Sequence, residues 1–132
     1  MKISATVKNN FNKHEAVVAT NDISQQVQIP AKATGYGSSV NGGELLLLAL
    51  ATCFCNDLYR EANKRNIPIE GVEVICTAEF GAEGEPGFNF QYKVKVTSDA
   101  PTAVIDELIA YTDHVAEIHN TLRKGVSIAI SS

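Results

Sequence analysis

Three cysteines carry the reactive potential of this chain, and two of them, Cys53 and Cys55, fall in the run Asn41-Gly42-Gly43-Glu44-Leu45-Leu46-Leu47-Leu48-Ala49-Leu50-Ala51-Thr52-Cys53-Phe54-Cys55. The run reads as a helix opening at a glycine-marked loop and apolar on every side. A thiol there is either inert packing or a nucleophile. A nucleophilic thiol needs its pKa lowered by a nearby cation or a helix N-terminus. Cys53 lies about three turns into its helix, beyond reach of that helix's own terminal dipole, which fades within a turn. Asp57, four residues on, shares its face, and a carboxylate there raises a thiol pKa. By local residues alone Cys53 is a packing thiol that nothing activates.

The other candidates each have a plain alternative. Cys55 is two residues from Cys53, about 200° round a helix, so the two thiols cannot bridge without unwinding it. A pairing across a subunit interface stays open. Cys76 alternates with Val72 and Val74 and suits a strand core. Glu44 stands three residues after Asn41, the spacing of a capping box, and its alternative role, from about half a turn round the helix, is that of a substitute acid for the Cys53 site. His119 lies three residues from Ala116, so both can face the region of Cys53, where a Cys–His pair lowers a thiol pKa. Alternatively, His119 faces solvent near a helix C-terminus. His14 and His114 have no evident partner. A metal held by Cys53, Cys55, His114 and His119 is not expected, because Cys-x-Cys within a helix cannot converge on one ion. No metal and no cofactor are expected.

The elements that position these residues follow from periodicity. A chain of 132 residues with 45% apolar content suits one domain, 1–132, with a true core. A net charge of −4 with no basic run argues against nucleic acid as a partner. The apolar run is too short to span a bilayer, and Met1 to Val7 is too short and too alternating for a secretory signal. The expected location is cytoplasmic, where an odd number of cysteines suits free thiols. Alternation over Lys2–Asn9, His14–Thr20 and Ser24–Ile29 predicts a three-stranded antiparallel meander ended by Pro30. A Gly- and Ser-rich loop leads to the helix Gly42–Asn66, which turns polar from Asp57, so its C-terminal half should reach solvent. Ile69–Phe80 and Phe88–Thr97 predict a hairpin, with Val72, Val74, Cys76 and Ala78 on one face and Phe88, Phe90, Tyr92, Val94 and Val96 on another. A helix opens after Pro101 and runs to Leu122, with a possible break near His114. Gly125 caps it, and Val126–Ile130 closes the chain as a strand. The class is α+β. Leu45 to Leu48 point in four directions, and one sheet covers one side. The simplest solution is a homodimer with central helices packed together, the alternative a monomer whose last helices cover that side.

Two motifs connect these residues to a known family. Asn41 to Leu46 followed by Ala49-Leu50-Ala51-Thr52-Cys53-Phe54 is similar to the central-helix motif of the OsmC/Ohr family (osmotically inducible protein C and organic hydroperoxide resistance proteins). Ile118-His119-Asn120-Thr121-Leu122 followed by Gly125-Val126 resembles that family's second motif. The resemblance implies an OsmC-like fold: antiparallel sheets packed on a buried central helix in an intertwined homodimer, with two sites at the subunit interface. It also implies a cysteine-based peroxidase. A thiolate on the central helix attacks an organic hydroperoxide, a second cysteine resolves the sulfenic acid, and an arginine and a glutamate hold thiolate and substrate.

Carried over by position, Cys53 matches the peroxidatic cysteine. The resolving cysteine falls at Ala116, the proline after it at Glu117, and the acid at Gly43, beside Glu44. The arginine expected from the N-terminal part is absent. The only arginines are Arg60, Arg65 and Arg123, and the nearest base to the pre-helix loop is Lys32, which cannot reproduce a bidentate guanidinium clamp. Three functions therefore compete. One is thiol-dependent reduction of organic hydroperoxides through Cys53, with an external thiol as reductant. The second is a non-peroxidase dimer of this superfamily binding a small apolar ligand at the subunit interface. The third is a structural or interaction protein whose cysteines only pack.

Overall fold

The structure is a computed structural model that describes residues 1–131. The chain divides into two compact units, Met1–Leu45 and Leu46–Ser132, with the boundary inside the first turns of the long helix.

In the first unit the alternating segments form the expected meander. Strand β1 (Ile3–Asn10) pairs antiparallel with β2 (Lys13–Thr20), and β2 pairs with β3 (Ile23–Val27). Asn12 and Asn21 occupy the left-handed region at the two tight turns, a conformation that asparagine tolerates better than most residues. β3 stops at Val27, short of the expected Ile29, because its ladder ends at the pair Ala16–Val27. The loop that follows is organised rather than loose. Ala31 bridges Ser38, and the Lys32 amide donates to the Gly37 carbonyl at 3.1 Å. Gly35 is required in it: φ is +88°, and a Cβ there would lie 2.4 Å from the Phe11 ring. Asn41 and Glu44 then form a reciprocal capping box. The Asn41 amide donates to Glu44 Oε1 at 3.0 Å, and the Glu44 amide donates to Asn41 Oδ1 at 2.8 Å. Helix α1 (Gly42–Lys64) starts on this cap.

In the second unit β4 (Gly71–Glu79) and β5 (Phe88–Thr97) form a two-stranded antiparallel sheet. Register places Val72 beside Val96, Val74 beside Val94 and Cys76 beside Tyr92, so the apolar residues of both strands share one face, as their alternation requires. The expected continuation to Phe88 fails for a local reason. An irregularity between Thr77 and Glu79, with Asn89 at φ 55°, sets Phe88 opposite Glu79, so an extra residue in β5 moves Phe88 to the other face. Helix α2 (Thr102–Val115) ends at Ala116, whose extended backbone (φ −70°, ψ 109°) breaks the run before α3 (Glu117–Lys124). Gly125 ends α3 with φ 79°.

The core of this unit is Phe54, Leu58, Ala62, Leu108 and Ala116, packed on Val72, Val74, Tyr92, Val94 and Val96 of the sheet. One expectation is refined and one corrected here. The C-terminal half of α1 reaches solvent along one side only, through Tyr59, Asn63 and Lys64, while Asp57 and Glu61 are 6% and 3% exposed; in the leucine run Leu48 is 59% exposed. Asp57, Leu58, Glu61 and Ala62 follow Phe54 at helical spacing and share the side that packs on the core. The charges are accommodated because cations surround them. Second, Val126–Ile130 is not a strand. It has no ladder partner among the described residues, and Ile128 and Ile130 are fully exposed.

Glu61 shows how a buried acid is held. Arg60 Nε, Arg65 Nη1 and Lys64 Nζ lie 2.9, 3.1 and 3.3 Å from its carboxylate oxygens. The Arg60 hydrogen bond, with help from Arg65 and Lys64, overrides burial and lowers its pKa to about 2. A carboxylate with a folded pKa below its unfolded value stabilises the protein above the unfolded pKa. Glu61→Gln is therefore expected to lower the melting temperature at pH 7, and its deficit relative to wild type should shrink as pH falls from about 4.5 towards 2. Thermal denaturation of both proteins across that range checks this. A deficit independent of pH would show that the ion cluster is not its source.

Candidate active site around Cys53

Cys53 is half-buried on α1, and its Sγ lies 3.4 Å from Asp57 Oδ2, the acceptor for the thiol proton. Asp57 is in turn bound by Arg60 Nη1 at 2.9 Å, and the same guanidinium reaches Glu117 at 3.6 Å. The N-terminus of α3 acts on it as well, through the backbone amide of Ile118, which lowers the thiol pKa. This feature was invisible in sequence. The dipole of its own helix is too distant to serve Cys53, but a second helix begins beside it because Ala116 breaks the α2–α3 run there.

These contacts oppose one another. Burial raises the Cys53 pKa above 9.0, the Ile118 amide lowers it, and the charges of Asp57 and Glu117 raise it further. The net shift is upward, so the thiol is protonated at neutral pH. Asp57 is itself raised by burial and by Glu117, against the pull of Cys53 and Arg60. The pair therefore holds a thiol proton between two reluctant anions. Cys53 Sγ and carboxylate oxygens of Asp57 and Glu117 all lie within 4.8 Å of one another, a donor set of three, but the Arg60 guanidinium is the cation that serves it.

The family model for OsmC-like protein matches residues 35–131, most of the chain. The chain belongs to the OsmC-like protein family. Its fold is similar to solved OsmC structures. An OsmC-like protein from Mycoplasma pneumoniae matches at 18% identity over 92% of this chain and 86% of that one, with a TM-score of 0.64. An organic hydroperoxide resistance protein OsmC from Legionella pneumophila matches at 20% identity, covering 93% and 90%, with a TM-score of 0.62. A putative organic hydroperoxide resistance protein from Vibrio cholerae, with captopril bound in one of its active sites, matches at 21% identity, covering 93% and 85%, with a TM-score of 0.59. No curated protein matches this chain.

Within the OsmC-like frame the remaining candidates find definite places. Ala116, where the resemblance expects the resolving cysteine, is fully buried in the core, and the next two residues reach the Cys53 site. The topology thus brings the expected segment to the thiol without its second sulfur. Glu44 is engaged in the helix cap, and Lys32 lies in the turn closed by the Gly35 amide donating to its carbonyl at 2.9 Å. Cys55 is on another face of α1, in a shallow groove with Thr52, Asn56 and Val74. All three cysteines are free thiols. The solvent-facing alternative for His119 is corrected: it is 5% exposed, with its ring 4.7 Å from that of Tyr92 and 5.7 Å from that of Phe54. Neither ring nitrogen has a hydrogen-bond partner among the described residues, so no Cys53–His119 hydrogen bond forms. Arg60, Glu117 and the Ile118 amide are the residues that sequence reasoning did not assign to the site. The Arg60 spacing from Asp57, i to i+3, was the one available signal.

Proposed function

We propose that this OsmC-like protein reduces organic hydroperoxides through Cys53, with an external thiol as reductant. The observation that carries the reading is the Cys53 thiol donating at 3.4 Å to Asp57, an acceptor for its proton, with the start of α3 and its Ile118 amide lowering the thiol pKa. Asp57 takes the proton. Sγ attacks an oxygen of the peroxide, the S–O bond forms and the O–O bond breaks, and the leaving alkoxide takes the proton from Asp57 to depart as an alcohol. Cys53 is then a sulfenic acid. With alanine at 116, a thiol from outside the chain must attack it, releasing water and forming a mixed disulfide. A second external thiol then frees Cys53 and leaves as the disulfide. Free cysteines suit a reducing, cytoplasmic setting. Among the described residues no helix is long and apolar enough to cross a membrane.

Intact-mass measurement after brief exposure to one equivalent of an alkyl hydroperoxide, with a sulfenic-acid trap present, tests the reading. One adduct in wild type and none in Cys53→Ser supports it, and no adduct in wild type sinks it. The raised thiol pKa favours the second reading, an OsmC-like dimer that binds a small apolar ligand at the subunit interface without peroxide chemistry. The absence of an adduct would favour that reading.

Either function is proposed for a homodimer. The support is an alternating tail, Val126, Ile128 and Ile130, with its apolar residues in water, together with the exposed Leu48 of the leucine run. A second copy offers both a ladder for the tail and a cover for the helix. Light scattering on the purified protein should give twice the chain mass, and a single-chain mass at micromolar concentration would remove the proposal.

A further inference from the structure

A cavity of about 450 Å³ in the second unit takes no part in the Cys53 site. Leu46, Leu50, Phe90 and Leu122 give it apolar walls, and His119 and Arg123 are among its other lining residues. Cys53, Asp57, Arg60 and Glu117 do not line it. Its volume falls in the range of small-molecule sites, which combine apolar walls with a few converging polar groups. His119 is its anomaly. The imidazole is nineteen-twentieths buried, and both ring nitrogens lack a partner among the described residues. Buried polar groups are rarely left so, and a ligand that hydrogen-bonds to them gains affinity from it. Arg123 is held in place by Asp113, with Nη2 at 2.6 Å from Oδ1 and Nη1 at 3.1 Å from the carbonyl. That pair is neutral together, so a proton added to His119 leaves the lining with one positive charge, the match for one anion.

We propose that this cavity binds an amphipathic monocarboxylate, with its aliphatic chain against Leu46, Leu50, Phe90 and Leu122 and its head group on His119 and Arg123. Binding brings a proton to His119. The titratable and charged groups around that ring are Tyr92 on β5, Asp113 on α2, Arg123 on α3 and Cys76 on β4. The Tyr92 hydroxyl and the Cys76 thiol are both pushed up by burial, and Tyr92 and Arg123 hold Asp113 down against its own burial. Burial and Arg123 lower the imidazole pKa, against the pull of Asp113. His119, with both ring nitrogens unpartnered among the described residues, is thus the group around this cavity left to take the proton.

Titration calorimetry of the full chain with octanoate, and with 1-octanol as the uncharged control, tests the site. Wild type and Cys53→Ser are expected to bind octanoate equally, which separates this site from the peroxidase reading. Octanoate should bind with proton uptake, seen as a buffer-dependent heat at pH 7.5, and more tightly than octanol. His119→Phe should weaken octanoate by about tenfold or more, the scale of one charged hydrogen bond, while octanol is unchanged. Leu122→Trp, at a position already 38% exposed, fills the cavity and should abolish binding of both, which keeps the test open if the His119 variant does not fold. Absence of octanoate binding, equal affinity for octanol, or octanoate binding retained in Leu122→Trp would overturn the proposal.

Discussion

Cys53→Ser is expected to reduce hydroperoxide turnover to the uncatalysed background, and the wild-type rate is expected to climb with pH. The thiolate is the nucleophile, and the thiol pKa is pushed above 9.0 by burial and by the Asp57 and Glu117 charges. Below that pKa each pH unit raises the thiolate fraction about tenfold, so a thiol ionising unaided would react about two orders of magnitude faster at pH 9 than at pH 7; with Asp57 taking the proton in the encounter complex the rise should be shallower. Stopped-flow measurement of sulfenic acid formation under single-turnover conditions reads this directly. A rate that is flat with pH and unaffected by Cys53→Ser would mean that peroxide chemistry, if any, occurs elsewhere.

Phe54→Ala is expected to destabilise the protein by about 3–5 kcal/mol, the range for deleting a buried aromatic ring. Phe54 is fully buried, with its ring 5.0 Å from that of Tyr92 and 5.7 Å from that of His119, and it belongs to the cluster of Leu58, Ala62, Leu108 and Ala116. It stands at the meeting of α1, β5 and α3, where little can collapse into the space it leaves. Chemical denaturation monitored by circular dichroism checks the value. A loss below about 1 kcal/mol would show that the core repacks and that Phe54 is not its centre. The residue is also Cys53's immediate neighbour. A loosened α3 would move the Ile118 amide away from Sγ, so the variant should alkylate at Cys53 more slowly, at a given pH, than its residual folded fraction explains.

Much of the architecture was legible because it is written in periods. Alternation located the meander and the hairpin, the 3.6-residue repeat located α2, and Asn41 with Glu44 marked the start of α1 through a cap whose two hydrogen bonds form as the spacing requires. Pattern failed where a single residue changed parity or where a partner was missing. The extra residue at Asn89 turned Phe88 to the other face, which no alternation count shows in advance. The segment Val126–Ile130 alternates like a strand but has no edge to join among the described residues.

The candidate site divides in the same way. The local residues settled that Cys53 and Cys55 cannot bridge within their helix and that Asp57 stands on the Cys53 face and opposes its ionisation. Both depend on neighbours within one helix. The tertiary structure decided the rest, because each remaining term comes from a distant part of the chain. Ile118 and Glu117 reach Cys53 only because α3 starts beside α1. Asp57 and Glu61 are buried because the Phe54–Leu58 stripe on which they lie faces the core, and Arg60, Lys64 and Arg65 make that burial tolerable. His119 is enclosed by Phe54 from one helix and Tyr92 from a strand. A sequence lists charges and thiols in order along the chain, whereas a pKa is set by burial and by through-space neighbours, and those exist only after the helices and the sheet have packed.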